Sequence, residues 1–217
     1  MSNLSRRKFL ANTAGFVAAS AFVPPKAGAG TTAKFDSNRF IEDVRLALKE
    51  TDAQAAVEEV LARAVSMPRE IILGLGEPTR AGIHTLYRGD DLTVLNVIWA
   101  PLMVLLPHNH NMWASIGIYS GREDNITWER AGQVIEAAGA ASLSEKEIFG
   151  LQDSAIHSVT NPINRMTGAI HLYGGDFFAP GRSEWDPETL SERPFDLEAA
   201  RQAFRDANER FEAGRRD

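Results

Sequence analysis

Leu102-Met103-Val104-Leu105-Leu106-Pro107-His108-Asn109-His110 opens on an apolar run, passes a proline and closes on two histidines one residue apart. Side chains of an extended strand alternate between faces with period two, so residues 108 and 110 point the same way and can bind one ion without backbone distortion. A second apolar run, Trp113 to Tyr119, follows at once. The pair is therefore expected near an apolar interior, where two partnerless imidazoles are costly and a bound cation removes the cost. By itself an H-x-H motif equally describes two exposed or core-edge histidines, so the surroundings have to decide.

Those surroundings read as β structure. From Ile71 to Phe178 short apolar runs alternate with turn signals at the spacing of a sandwich or barrel. The candidate strands are 83–88, 92–99, 103–106, 113–119, 125–129, 133–137, 155–159 and 169–173. One helical turn is expected among them, because Ser144 with Glu147 three residues on forms a capping box before Ile148-Phe149. Two helices precede the strands. Asn38 is the expected cap of the first, which carries Phe40, Ile41, Val44, Leu46 and Leu48; Thr51 or Asp52 caps the second, which runs through Val57, Val60, Leu61 and Val65 and ends at Pro68. After the strands Asp196 caps an amphipathic helix with Leu197, Ala200, Phe204, Ala207 and Phe211, ending near Gly214. The expected fold is an all-β barrel core with N-terminal and C-terminal α-helices.

The chain has 217 residues, 44% hydrophobic and 24% charged, which suits one globular domain, here 38–217. It contains no cysteine, so disulfides, thiolate metal sites and cysteine nucleophiles are excluded, and any metal rests on His, Asp or Glu. Residues 1–29 read as a twin-arginine export signal: Ser5-Arg6-Arg7-Lys8-Phe9-Leu10, an apolar run from Ala11 to Val23 too short to span a bilayer, and the A-x-A site Ala27-Gly28-Ala29. Residues 30–37 read as a linker. Cleavage after Ala29 removes Arg6, Arg7, Lys8 and Lys26 and no acid, taking the formal charge from −6 to −10. So acidic a product is a poor partner for nucleic acid or an anionic membrane. A periplasmic or otherwise exported protein is expected.

With these residues in view, the chain resembles the cupin superfamily over roughly Tyr87 to Tyr173, which implies a double-stranded β-helix (jelly-roll) barrel. His108-Asn109-His110 followed by Gly121 matches the first cupin motif, except that Ala114 stands where the family has glutamate. His157-Ser158-Val159-Thr160-Asn161 matches the end of the second, with Gln152 and Ser154 in place of its usual proline and glycine. The resemblance implies that His108, His110 and His157 hold one metal, Fe(II) first, with Zn, Mn and Ni as alternatives. Three neutral imidazoles leave that ion its full positive charge and favour anionic ligands. Within the cupins this pattern is similar to the thiol dioxygenases of the cysteine dioxygenase-like family, which implies oxidation of a small thiol to a sulfinate by dioxygen.

Ala169-Ile170-His171-Leu172-Tyr173 resembles the stretch in which that family alternates serine, histidine and tyrosine. It implies that His171 orients Tyr173 and that the Tyr173 hydroxyl hydrogen-bonds oxygen or substrate; Ala169 leaves that series one member short. The cysteine that some members cross-link to the tyrosine falls near Ser115, so no cross-link can form. Arg88 stands where similar enzymes bind the substrate carboxylate, a task suited to a bidentate guanidinium, although a surface arginine at the Gly89-Asp90 turn is the equal alternative. His84 reads as an isolated core or edge histidine, Gly121-Arg122-Glu123-Asp124 as a hairpin turn with ordinary charges, and Asp153 as a loop carboxylate. A non-oxygenase cupin, either a ligand-binding or sensor module or an enzyme using another metal, is the competing reading, since one fold hosts many activities.

Overall fold

Residues 169–173 alternate small or polar with aliphatic side chains, Ala-Ile-His-Leu-Tyr, yet every residue from Thr167 to Tyr173 is buried. A computed structural model, which describes residues 33–179 and 181–214, explains why. The strand lies mid-sheet, with a barrel interior on one face and helices on the other.

Three helices come first, α1 (Ser37–Ala47), α2 (Ala53–Val65) and α3 (Pro68–Leu75). The strands follow: β1 (Gly82–Arg88), β2 (Thr93–Trp99), β3 (Val104–Asn109), β4 (Ala114–Ser120), β5 (Arg122–Ala131), β6 (Val134–Ser144), β7 (Ile148–Leu151), β8 (Ile156–Thr160), β9 (Thr167–Tyr173), β10 (Ser183–Trp185) and β11 (Glu192–Pro194), and then α4 (Leu197–Ala213). One sheet has the order β1-β2-β9-β4-β7 and the other β11-β10-β3-β8-β5-β6; the paired strands run antiparallel. The core is all-β, two antiparallel sheets in a jelly-roll arrangement, with helices at both ends of the described chain.

Alternation sorts the side chains. From β9, Ala169 and Tyr173 join the interior cluster with Trp99, Ile116 and Val159, while Ile170 and Leu172 join Val44, Leu61, Val65 and Ile71 of the helical layer. Burial on both faces is why β2 and β9 read as nearly continuous apolar runs. A Cβ on Gly117 of β4 would lie 2.9 Å from Leu61 and 2.8 Å from Val65, so the missing side chain sets how closely α2 approaches. Leu61 is fully buried there, and its truncation to alanine costs about 2–5 kcal/mol.

Several sequence expectations are corrected. Asp36, rather than Asn38, caps α1, accepting from the amides of Asn38 and Arg39. The second helix ends before Pro68, but Pro68 then begins a third, so the stretch from Ile71 that was expected as β structure is helical to Leu75; proline at the first helical position forfeits only an amide that has no partner anyway. The expected helical turn at Ser144 is a strand reversal into β7; Glu147 does accept from the Ser144 amide at 2.7 Å, but the chain then extends. Short strands β10 and β11 were not expected. Asp196 caps α4 as expected, accepting from Glu198 and Ala199 amides. The export signal of residues 1–29 lies outside the described residues, as does the start of the 30–37 linker.

Candidate metal centre

His108 and His157 are cross-strand partners on β3 and β8, and His110 follows the end of β3. The register slips by one residue between Leu105 and His108, a bulge that contains Pro107, which has no amide to offer the ladder. The bulge resets the phase of β3. Leu105 and His108, three residues apart, both line the interior cavity. The three histidines that the sequence singled out come together there, each at most 4% exposed, with ligand atoms all within 4.8 Å of one another.

Their outer nitrogens decide how the rings can act. His108 Nδ1 lies 2.8 Å from the Leu106 carbonyl inside the bulge, so Nδ1 carries the proton and Nε2 keeps its lone pair. His157 Nδ1 lies 2.8 Å from Asn125 Oδ1, and the Asn125 amide nitrogen donates to Glu123 at 2.9 Å. Because the carboxylate can only accept, it fixes which way the Asn125 amide faces, and through it the His157 tautomer. His110 Nε2 and His157 Nε2 approach to 2.9 Å. Burial, opposed only in part by the Leu106 carbonyl, pushes His108 down to about 4; burial and then repulsion from neighbouring imidazoles hold His110 and His157 well below the ordinary histidine value. The set is uncharged near neutral pH, the state a metal requires. His108 and His157, with Nδ1 bonded outward, keep Nε2 lone pairs facing inward, and His110 Nε2 stands beside them, a donor set that fits a metal ion once the proton between His110 and His157 is displaced.

The facing sheet supplies His171 and Tyr173 from β9. His171 Nδ1 is 3.0 Å from the Tyr173 hydroxyl, and the Tyr173 ring sits 4.9 Å from that of His110. Burial holds the Tyr173 phenol far above its usual value, so it stays protonated. Ala169, one pair further along the same face, is fully buried and offers no polar side-chain atom.

Two residues that the sequence reading passed over complete the surroundings. Glu123 is not in a turn but on β5, fully buried; its oxygens accept from Trp99 Nε1 at 2.7 Å and from Asn125, and one lies 3.5 Å from His171 Nε2. Gly121 makes this possible. With φ at +85° it turns the chain into β5 where any Cβ would collide with Thr167. Arg182 is 7% exposed, between the Phe177 and Phe195 rings at 4.3 and 4.2 Å, with one guanidinium nitrogen 3.4 Å from His110 Nδ1. Among the described residues no carboxylate pairs with it. Its segment is tied to the histidine turn: Asn109 accepts from the Ser183 amide at 2.7 Å and Asn111 donates to the Gly181 carbonyl at 2.9 Å.

Other sequence candidates lie elsewhere. Arg88 is half-exposed on β1 and makes two hydrogen bonds, at 2.8 and 2.7 Å, to Asp176; it is not among the residues that line the cavity. Ser115 faces the helical layer, donating to Glu58 at 3.0 Å, so the cross-link position does not map onto it. His84 and Asp153 are exposed. Asn161 of the second motif is structural, donating to the carbonyls of Trp99, Ala100 and Arg165.

The cavity, about 30 Å³, is lined by the histidines, Tyr173, Phe177 and Trp99 and by Phe195, Leu197 and Ala200. No protein-family model matches the chain. Among solved structures it is similar to an RmlC-like cupin family protein with a double-stranded β-helix fold from Methanocaldococcus jannaschii, at 10% identity over 46% of this chain and 84% of that one, TM-score 0.39. It is also similar to a protein with a double-stranded β-helix domain from Klebsiella pneumoniae, at 12% identity over 51% and 88%, TM-score 0.40. An oxalate decarboxylase of Bacillus subtilis matches at 13% identity over 42% of this chain and 23% of that one, TM-score 0.35.

Proposed function

We propose that the protein is a mononuclear non-haem iron dioxygenase that oxidises a small anionic thiol to a sulfinate. One arrangement carries the reading: three imidazoles, from β3, the residue after it and β8, confront across the cavity a tyrosine hydroxyl held by His171 on the other sheet. A binding module has no need of that second pair. When bound, Fe(II) supplies the redox chemistry by which dioxygen adds to sulfur. The stoichiometry closes without a reductant, since sulfur loses four electrons, dioxygen gains four, and both oxygens end on sulfur.

The chain's own groups bind and orient. Arg182, stacked on the cavity-lining Phe177 and Phe195, is a buried cation that pairs with no carboxylate among the described residues, a costly state that an anionic substrate relieves, and its planar fork suits a carboxylate. Phe177 and Phe195 fix the guanidinium plane and keep water from the sulfur. The Tyr173 hydroxyl, still protonated, is a hydrogen-bonding post beside His110. Holding both reactants between the histidines and Tyr173 replaces a chance encounter by a positioned one. The partners are a small thiol and dioxygen rather than nucleic acid, and the twin-arginine segment supports action in the periplasm or another exported location.

The test is oxygen uptake by iron-loaded protein with a panel of small thiols, with and without a carboxylate. One dioxygen consumed per sulfinate formed, with the carboxylate-bearing thiols preferred, is expected. Absence of uptake with every thiol overturns the reading, and zinc, manganese or nickel in protein purified from its own compartment redirects the metal assignment.

A further inference from the structure

His171 Nε2 is the one buried side-chain polar atom among the described residues that makes no hydrogen bond. A buried polar atom left alone costs about 1–3 kcal/mol. Glu123 Oε2 lies 3.5 Å from it. Glu123 is itself a fully buried acid, lies on the opposite sheet, and already receives Trp99 Nε1 on Oε2 and the Asn125 amide on Oε1. The only polar group of His171 that can complete this cluster is an Nε2–H, since a bare Nε2 facing carboxylate oxygens sets lone pair against lone pair.

We propose that Glu123 is a positioning residue that fixes His171 as the Nε2–H tautomer and thereby turns the Tyr173 O–H toward His171 Nδ1. The neutral imidazole then has one acceptor nitrogen, Nδ1, which lies 3.0 Å from the hydroxyl. With its proton committed to His171, the Tyr173 oxygen presents lone pairs to the cavity. The site therefore offers an incoming S–H a hydrogen-bond acceptor. The same carboxylate, through Asn125, sets the His157 tautomer, so one buried acid holds in place both the metal-facing ring and the tyrosine opposite. The role of the tyrosine toward a thiol rests on the dioxygenase reading; the tautomer does not.

The experiment is nitrogen-15 NMR of the histidine rings in the full-length protein, metal-stripped and again after addition of Zn(II). Wild-type protein should show His171 as a single tautomer with its proton on Nε2, and Glu123→Gln should convert it to a mixture. Trp99→Phe, which removes another donor but keeps the carboxylate, should leave it intact. If the amide variant fails to fold, Glu123→Asp, whose carboxylate retreats by one methylene, must loosen the tautomer instead. A wild-type His171 with a proton on Nδ1, alone or as the imidazolium, overturns the proposal, as does a tautomer indifferent to both substitutions. In iron-loaded protein Glu123→Gln should lower kcat with KM little changed. If wild-type protein oxidises no thiol, that arm fails with the dioxygenase reading while the NMR result stands.

Discussion

His108 and His157 face each other directly across the β3–β8 ladder with ring centroids 4.6 Å apart. The pairing is fixed by backbone hydrogen bonds and by the bulge at Pro107, so the spacing of these two rings belongs to the sheet and is present before any ligand arrives. A prebuilt site of this kind binds without the cost of ordering a loop.

Tyr173→Phe keeps the ring that packs on His110 and Phe177 and removes only the hydroxyl. Stability should fall by about 1 kcal/mol, the net worth of one neutral hydrogen bond. In steady-state oxygen uptake kcat should fall by about a hundredfold, with KM changed much less. Equal kcat in the two proteins would show that the hydroxyl does not touch the reacting groups.

Arg182→Gln should raise KM for a carboxylate-bearing thiol by roughly 10–100-fold, the factor that corresponds to about 1.5–3 kcal/mol for a hydrogen bond to a charged group. Arg88→Gln should leave KM unchanged, because that side chain is committed to Asp176 at the surface. Substrate saturation curves for the two variants separate the assignments; a KM that follows residue 88 and ignores residue 182 contradicts the account.

Metal-free protein should lose stability as pH falls from about 6.5 toward 4. The buried imidazoles resist protonation in the folded state, His108 down to about 4 and His110 and His157 lower than usual in the same direction, whereas in the unfolded chain they take a proton near 6.5. Between those values the unfolded state binds more protons, so stability rises with pH through this window and is level above it. For His108 alone the difference reaches about 3 kcal/mol at the acid end. Thermal melts of chelator-treated protein from pH 8 to pH 4 measure it, and a flat Tm would contradict the burial argument.

The three-histidine cluster was legible because its signal is local. His108 and His110 share a strand face by alternation, and His157 announces itself through Asn161 four residues on. The strand pairs and α4 were legible from periodicity and caps. The remainder depended on contacts that only the folded chain makes. Ser144 and Glu147 satisfy a capping pattern, but β7 extends because Ile148 to Leu151 pair with β4. Pro68 can end one helix or start another, and its local sequence does not distinguish the two. Arg182 lies in a turn-rich stretch without periodicity, and its burial comes from contacts made in the folded chain: the Phe177 and Phe195 rings, and Asn109 and Asn111, which bind its segment. Glu123 looked like one charge among several beside a glycine; its alternation with Asn125 on β5 was the available sign that it faces inward.

The most direct test is X-ray absorption of wild-type protein loaded with one equivalent of Fe(II), beside His157→Ala checked for fold by circular dichroism. Wild-type protein should bind one ion per chain through three imidazole nitrogens at about 2.0–2.2 Å, and the variant should retain little or none. A wild-type spectrum without imidazole scattering, or a folded variant that holds the ion with the same ligand set and occupancy, would contradict the account.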